Sequence, residues 1–317
     1  MPIVLVGPTA SGKTELAVAL ARVLGGEVVS ADSRQVYQEL DAGTAKPERD
    51  AQGRVAGIPY HLVDFVPVDE PFDAGRFAAL AREKAAEIQG RGQLPILAGG
   101  TGLYARAFLE GLCPLPRRDE ALRRELEDEA RVRGRTWLHE RLARVDPAAA
   151  AEIPANNIQR LVRALEVFEL TGKPISSHWS EEPPGGRISA SAILRIDWSP
   201  ESLRQRIKAR AELMWPKMLD EVRGLLRRFR GDEPGFQSLG YPEAVACARG
   251  ELPPEAGLAR LVSATNAYAR RQRTWFRHQL PARSVAGGGA EEMLRQAVSL
   301  IPSHQGGRHP DHAPTDR

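Results

Sequence analysis

The octapeptide GPTASGKT at residues 7–14 constrains this chain more than any other feature, because it follows the apolar run Ile3-Val4-Leu5-Val6 directly. Gly, four residues, then Gly-Lys-Thr is the spacing of a phosphate-binding loop set between a strand and a helix. Gly7 and Gly12 let the backbone curl around a diphosphate or triphosphate, and Lys13 neutralises charge. Thr14 can offer its hydroxyl to Mg²⁺. It also opens the next helix, whose N-terminus favours anions.

The segments that follow keep the same rhythm. Residues 14–24 predict a helix with Leu16, Ala19, Leu20 and Val23 on one face, ended by Gly25-Gly26. Glu27 to Ala31 reads as a second strand ending at Asp32-Ser33, Arg76 to Gln89 as a helix, and Leu94 to Ala98 as a third strand. Strand, loop and helix in this order predict a parallel α/β sheet. Ligands of such sheets sit at the C-terminal strand ends, so the phosphate loop, Asp32 and Gly99-Gly100-Thr101 are expected on one rim. Many phosphate-loop ATPases end a strand in an Asp that supports Mg²⁺. Here the third strand ends in Gly99-Gly100, which argues against a motor or switch.

The texture changes near residue 115. Residues 117–170 are dense in Arg, Glu, Ala and Leu with helical periodicity. The expected organisation is an α/β core over 1–114 and 190–302, interrupted by a helical insertion over 115–189. Ala192 to Asp197 is a returning strand, and 201–229 and 256–280 are helical. The polar stretch 303–317 is expected to be disordered, its three histidines being tail composition rather than a metal site. With 42% apolar and 27% charged residues, and no run as long as a membrane span, the chain reads as soluble and globular. The N-terminus leaves no room for a signal peptide, and Cys113 and Cys247 stand alone, so a cytoplasmic protein without disulfides or structural zinc is expected. Of 44 Lys and Arg residues only six are Lys. Arg suits phosphate contacts and stacking on bases, although genomic base composition also produces such an excess.

Several side chains carry candidate chemistry. A carboxylate at Asp32 can bind Mg²⁺, hold a sugar hydroxyl or act as a general base; Asp-Ser is equally good turn-capping chemistry. In Gln159-Arg160-Leu161-Val162-Arg163 the two arginines share a helix face, which suits an RNA backbone or, with Glu166 nearby, a solvated surface. Arg204, Arg206 and Arg210 precede Met214 on another helix. YARRQRTWFR at 268–277 mixes Arg with aromatics, which can grip nucleic acid or anchor a helix through Trp275 and Phe276.

Taken together, GPTASGKT (7–14), SADSRQVY (30–37), DAGTAKP (41–47), HLVD (61–64), AGGTGLY (98–104), QRLVRALEV (159–167), LGYPEA (239–244) and YARRQRTWFR (268–277) resemble the tRNA dimethylallyltransferase family. They occur in the family's order and cover residue 3 to about 280. The resemblance implies a nucleotide-kinase-like phosphate-loop core with an all-helical insertion that clasps the tRNA anticodon stem-loop. It implies transfer of a dimethylallyl group from its diphosphate to N6 of adenosine-37 in tRNAs reading codons that begin with U. Asp32 aligns with the general base, and Thr9, Lys13 and Arg210 complete the catalytic set. Gly7, Pro8, Thr9, Ala10, Ser11, Gly12, Lys13, Thr14 and Arg210 would hold the diphosphate, with Thr14 also meeting Mg²⁺. Asp32, Ser33, Arg34, Gln35, Thr101, Gln159, Arg160, Leu161, Val162, Arg163, Gly240 and Tyr241 match RNA-contacting segments. The implied partners are tRNA and dimethylallyl diphosphate, with no membrane and no obligate protein partner. The chain departs from the family at Trp215-Pro216, where a Gly-Leu turn is usual. It also lacks the zinc-finger extension of eukaryotic members and so looks bacterial in type. Other readings are an isopentenyltransferase of free adenine nucleotides, a phosphate-loop kinase, or an RNA-binding module; the insertion favours RNA as substrate.

Overall fold

The computed structural model describes residues 1–113, 115–183 and 185–302, so the tail expected to be disordered lies outside the described residues. The chain forms two compact units. The first holds Met1–Leu109 and the chain from Ile188 onward; the second is Glu110–Arg187. The insertion leaves and rejoins the first unit at one point, where the Ile188 N–H donates to the Leu109 carbonyl at 2.7 Å. The composition changes near residue 115, about five residues after the second unit begins at Glu110.

The first unit is built on β1 (Ile3–Val6), β2 (Gly26–Ser30), β3 (Arg54–Val55), β4 (Ile58–His61), β5 (Leu94–Gly99), β6 (Ala192–Asp197) and β7 (Arg283–Ala286). They form one sheet in the order β3-β4-β2-β5-β1-β6-β7. Every pairing is parallel except β3 with β4. Ile3, Leu5, Val28, Ile96, Leu194 and Ile196 pack on one face against Leu16 and Leu20 of α1 (Lys13–Leu24) and Met293 of α11 (Ala290–Ser299). The alternate residues Val4, Val29 and Leu97 are buried as completely, so both faces are covered. α2 (Ala74–Gly90) packs on β2 and β5. α3 (Gly102–Glu110) follows β5. Gly25 ends α1 in the left-handed conformation, which a Cβ would strain.

The remaining helices of this unit are α8 (Pro200–Leu225), α9 (Tyr241–Ala248) and α10 (Pro254–Gln279), which pack on one another. α8 runs through Pro216 without ending. Trp215 is buried there, and its indole N–H donates to the Pro254 carbonyl at 3.0 Å, tying α8 to α10.

The second unit contains α4 (Glu120–Arg133), α5 (Arg135–Val145), α6 (Pro147–Glu152) and α7 (Ile158–Thr171). Its core gathers Leu126, Leu138, Leu142, Leu161, Val162 and Leu165. Glu166 is fully buried within it, and burying a carboxylate is costly unless it is paired. The Asp119 N–H, Arg123 and Arg163 all donate to it, at 2.7, 3.3 and 2.7 Å.

Candidate functional site

The C-terminal ends of β1, β2 and β5 open onto a cavity of about 1440 Å³ in the first unit. Its walls are the phosphate loop, the Asp32–Gln35 turn, the 41–47 loop, Gly99-Gly100, and parts of α8 and α10. This is the rim on which parallel-sheet ligands are expected.

The loop is shaped for an anion. Gly12 caps α1 at φ 88° with no side-chain acceptor, so the first amides of the helix are left for a ligand. Lys13 reaches back to the Pro8 carbonyl at 2.7 Å. Burial brings its ammonium down to about 8, with Arg210 adding to the fall while Asp32 and Glu15 oppose it. Arg210, half-buried on the cavity wall, is likewise lowered by burial, against the pull of Asp32. Two half-buried cations facing one cavity are an arrangement suited to receiving negative charge.

Asp32 lines this cavity and also caps its turn. Its Oδ1 accepts from the N–H groups of Arg34 (2.9 Å) and Gln35 (3.4 Å), which leaves Oδ2 outside the turn. Thr101 steadies the same turn: its hydroxyl oxygen accepts from the Ser33 N–H at 3.0 Å and lies 3.2 Å from Ser33 Oγ. Gly99 lies against Ala31, whose N–H donates to the Ala98 carbonyl and whose carbonyl accepts from the Thr101 N–H. Tyr60 borders Thr14 and Ser30, and burial pushes its hydroxyl up to about 12.

Several residues expected to touch a ligand also hold the framework together, and one of them, Gln35, lines the cavity as well. Gln35 is buried and donates its amide to the Thr44 and Ala45 carbonyls at 3.2 and 3.1 Å, fixing the 41–47 wall. Tyr241 is fully buried: its hydroxyl donates to Glu221 at 2.6 Å and accepts from the Gly43 N–H at 3.2 Å. Gly240 is buried at φ 86°, where a Cβ would meet Leu261 at 2.7 Å. Leu161 and Val162 are core residues of the second unit with no exposed surface. Arg163 is committed to Glu166 and to the Pro116 carbonyl at 2.8 Å, whereas Gln159 and Arg160 are exposed. Arg163→Ala is therefore expected to destabilise the protein by about 1–3 kcal/mol in denaturant melts. Arg160→Ala should stay within about 0.5 kcal/mol while lowering the salt slope of RNA binding by about one.

Three side chains grip the loop; the sequence singled out Arg206 on its helix and Gln272 within YARRQRTWFR without placing them there, and gave no sign of Trp198. Gln272 of α10 accepts from the Thr9 N–H at 2.9 Å and donates to the Gly100 carbonyl at 2.8 Å. Arg206 donates to the Ala10 carbonyl at 2.7 Å, and Trp198 to the Ser11 carbonyl at 3.0 Å. In YARRQRTWFR the residues divide: Tyr268, Arg271 and Gln272 line the cavity, while Phe276 is buried and Trp275 packs on Gly102.

Mg²⁺ takes one or two carboxylates and fills its shell with phosphate oxygens and water. The Thr14 hydroxyl, with Asp32 and Glu15 on the same wall, is a donor set of that kind. Among the described residues no group of three acidic, His or Cys side chains would hold a metal by itself.

Comparison with known proteins agrees with this architecture. The family model described as IPP transferase matches residues 35–279, and one described as isopentenyl transferase matches residues 2–55. A tRNA dimethylallyltransferase of Anaeromyxobacter dehalogenans is 49% identical over 93% of this chain and 96% of its own length. One from a Roseiflexus species is 43% identical over 94% and 97%. The crystal structure of a tRNA isopentenylpyrophosphate transferase from Bacillus halodurans superposes with a TM-score of 0.67 at 35% identity, covering 94% of each chain. A eukaryotic dimethylallyltransferase captured acting on tRNA superposes at 0.75 with 25% identity, over 94% of this chain and 76% of that one.

Proposed function

The chain belongs to the tRNA dimethylallyltransferase (IPP transferase) family, and on that premise we propose that it transfers a dimethylallyl group from dimethylallyl diphosphate to N6 of adenosine-37 in tRNAs reading codons that begin with U. The observation that carries the reading is one cavity shared by an uncapped phosphate loop and an Asp32 carboxylate.

The adenine amine is a weak nucleophile because its lone pair is delocalised into the ring. The allylic carbon is a good electrophile because its developing charge spreads over the double bond. Catalysis then consists of aligning the amine and stabilising the departing diphosphate. Lys13, Arg210 and the loop N–H groups act where negative charge grows as the C1–O bond breaks. Thr14, with Glu15, would hold Mg²⁺, which would neutralise the same leaving group. As the N6–C1 bond forms, nitrogen becomes acidic and Asp32 Oδ2 accepts its proton. The base must leave the stack of the anticodon loop to reach this cavity. The exposed Gln159 and Arg160, in the helical unit, are the residues of that segment suited to the anticodon stem-loop. No helix among the described residues is long and apolar enough to cross a membrane, and we place the enzyme in the cytoplasm with its tRNA.

Lys13 gives the reading a pH signature. In the free site its ammonium titrates near 8, and a bound diphosphate favours the charged form. Donor affinity is therefore expected to be full below about pH 8 and to fall as pH rises through it. Calorimetric titration with pyrophosphate at pH 9 in two buffers of different ionisation enthalpy should register proton uptake. No difference between the buffers would remove Lys13 from the diphosphate site.

The acceptor class is tested by offering labelled dimethylallyl diphosphate with bulk tRNA, AMP and ATP in parallel. Label on tRNA alone is the expected result; label on AMP or ATP would move the protein to free nucleotides.

A further inference from the structure

Ala10 sits in the loop at φ 62°, a left-handed conformation that an L residue adopts only when its surroundings impose it. The surroundings come from the C-terminal half of the chain. The Ala10 methyl is buried among Leu203, Ile207 and Ala269, with Trp198 packed on the same cluster. The Ala10 carbonyl accepts from Arg206 Nε at 2.7 Å, and the Ser11 carbonyl from Trp198 Nε1 at 3.0 Å. The two donors support each other, since the Arg206 guanidinium lies 4.5 Å from the Trp198 ring centroid. Gly287 also lies against the indole, where a Cβ would not fit.

We propose that Trp198 and Arg206 form a brace that sets the phosphate loop in its anion-receiving shape before a donor arrives, making both of them positioning residues for the transfer. In a trans peptide the carbonyl and the following N–H point in opposite directions. Pinning the Ala10 and Ser11 carbonyls to the brace therefore aims the Ser11 and Gly12 N–H groups the other way, toward the bound diphosphate. The donors need not reorganise when the anion binds, which is where preorganised sites gain affinity. The inference rests on the donor-site reading above and adds the residues that shape that site.

Trp198→Phe is the informative variant, because it keeps an aromatic ring beneath Arg206 and deletes the N–H together with the rest of the second ring, with no change of charge. Binding of inorganic pyrophosphate is measured by calorimetry, donor kcat/KM by transfer, and RNA affinity and thermal midpoint alongside. Losing one loop-fixing hydrogen bond is expected to raise the pyrophosphate Kd about threefold to tenfold. Donor kcat/KM should fall by the same factor, with RNA affinity unchanged and the thermal midpoint lowered by only a few degrees. Arg206→Lys keeps the charge but not the planar stack, and should shift the same two quantities in the same direction. Unchanged pyrophosphate affinity in Trp198→Phe, or an equal loss of RNA binding, overturns the brace. Wild-type protein that fails to bind pyrophosphate overturns the donor-site reading itself, and the brace with it.

Discussion

Asp32→Asn is expected to lower the transfer rate by about 10²–10⁴-fold and to leave RNA affinity within about twofold of wild type. Asparagine keeps an oxygen where Oδ1 accepts the Arg34 and Gln35 amides, so the turn survives. What it loses is basicity at the second oxygen, where the N6 proton is proposed to go. Asp32→Ala removes the cap as well, so a larger loss in Ala than in Asn would measure how much the turn matters apart from the proton. Single-turnover transfer with RNA binding measured in parallel checks this. If Asn retained wild-type turnover, Asp32 would be only the turn cap that Asp-Ser chemistry also allows.

Gly99→Ala is expected to cost about 3 kcal/mol of stability and to lower the thermal midpoint by roughly 6–12 °C. A Cβ there would fall on the Ala31 backbone, which is fixed by its own bonds to Ala98 and Thr101. Ala31 immediately precedes Asp32, so what relief the chain finds comes from moving the proposed base. Transfer should fall further than stability alone explains. The neighbouring Gly100→Ala is the stability control: its Cβ would meet the Gln272 amide nitrogen at 2.7 Å, a side-chain atom that can yield, at the cost of the Gln272 bonds to Thr9 and Gly100, rather than a fixed backbone. It should melt within a few degrees of wild type. Equal losses at the two glycines would mean that the Ala31–Gly99 approach is not what positions the turn.

The phosphate loop, the three core strands Ile3–Val6, Gly26–Ser30 and Leu94–Gly99, and the long helices were legible because their signals are local. Apolar runs and 3.6-residue spacing name their element without knowing its neighbours. The elements that escaped include the strands Arg54–Val55, Ile58–His61 and Arg283–Ala286 and the helices Gly102–Glu110, Tyr241–Ala248 and Ala290–Ser299. The first is two residues long, and the other strands are short and carry Pro, Arg or Ser, so none has an apolar run of its own. Within the site, legibility followed sequence distance. Asp32 and Lys13 stand beside recognisable motifs. Arg206, Trp198 and Gln272 grip the loop from 196, 187 and 263 residues away, which no local pattern encodes. Motif membership also left open whether a residue is wall or support. Tyr241 sits in LGYPEA and Arg163 in QRLVRALEV, yet one is spent on Glu221 and Gly43 and the other on buried Glu166. Burial decides that question, and burial belongs to the folded chain.

The most direct test uses two anticodon stem-loops that differ at one position, adenine or guanine just 3′ of the anticodon. Each is incubated with the protein, Mg²⁺ and labelled dimethylallyl diphosphate, then digested to nucleosides. The account predicts label only in the adenine stem-loop, recovered as N6-(dimethylallyl)adenosine with release of one diphosphate. Label in both RNAs, or in neither while AMP is labelled, would contradict it.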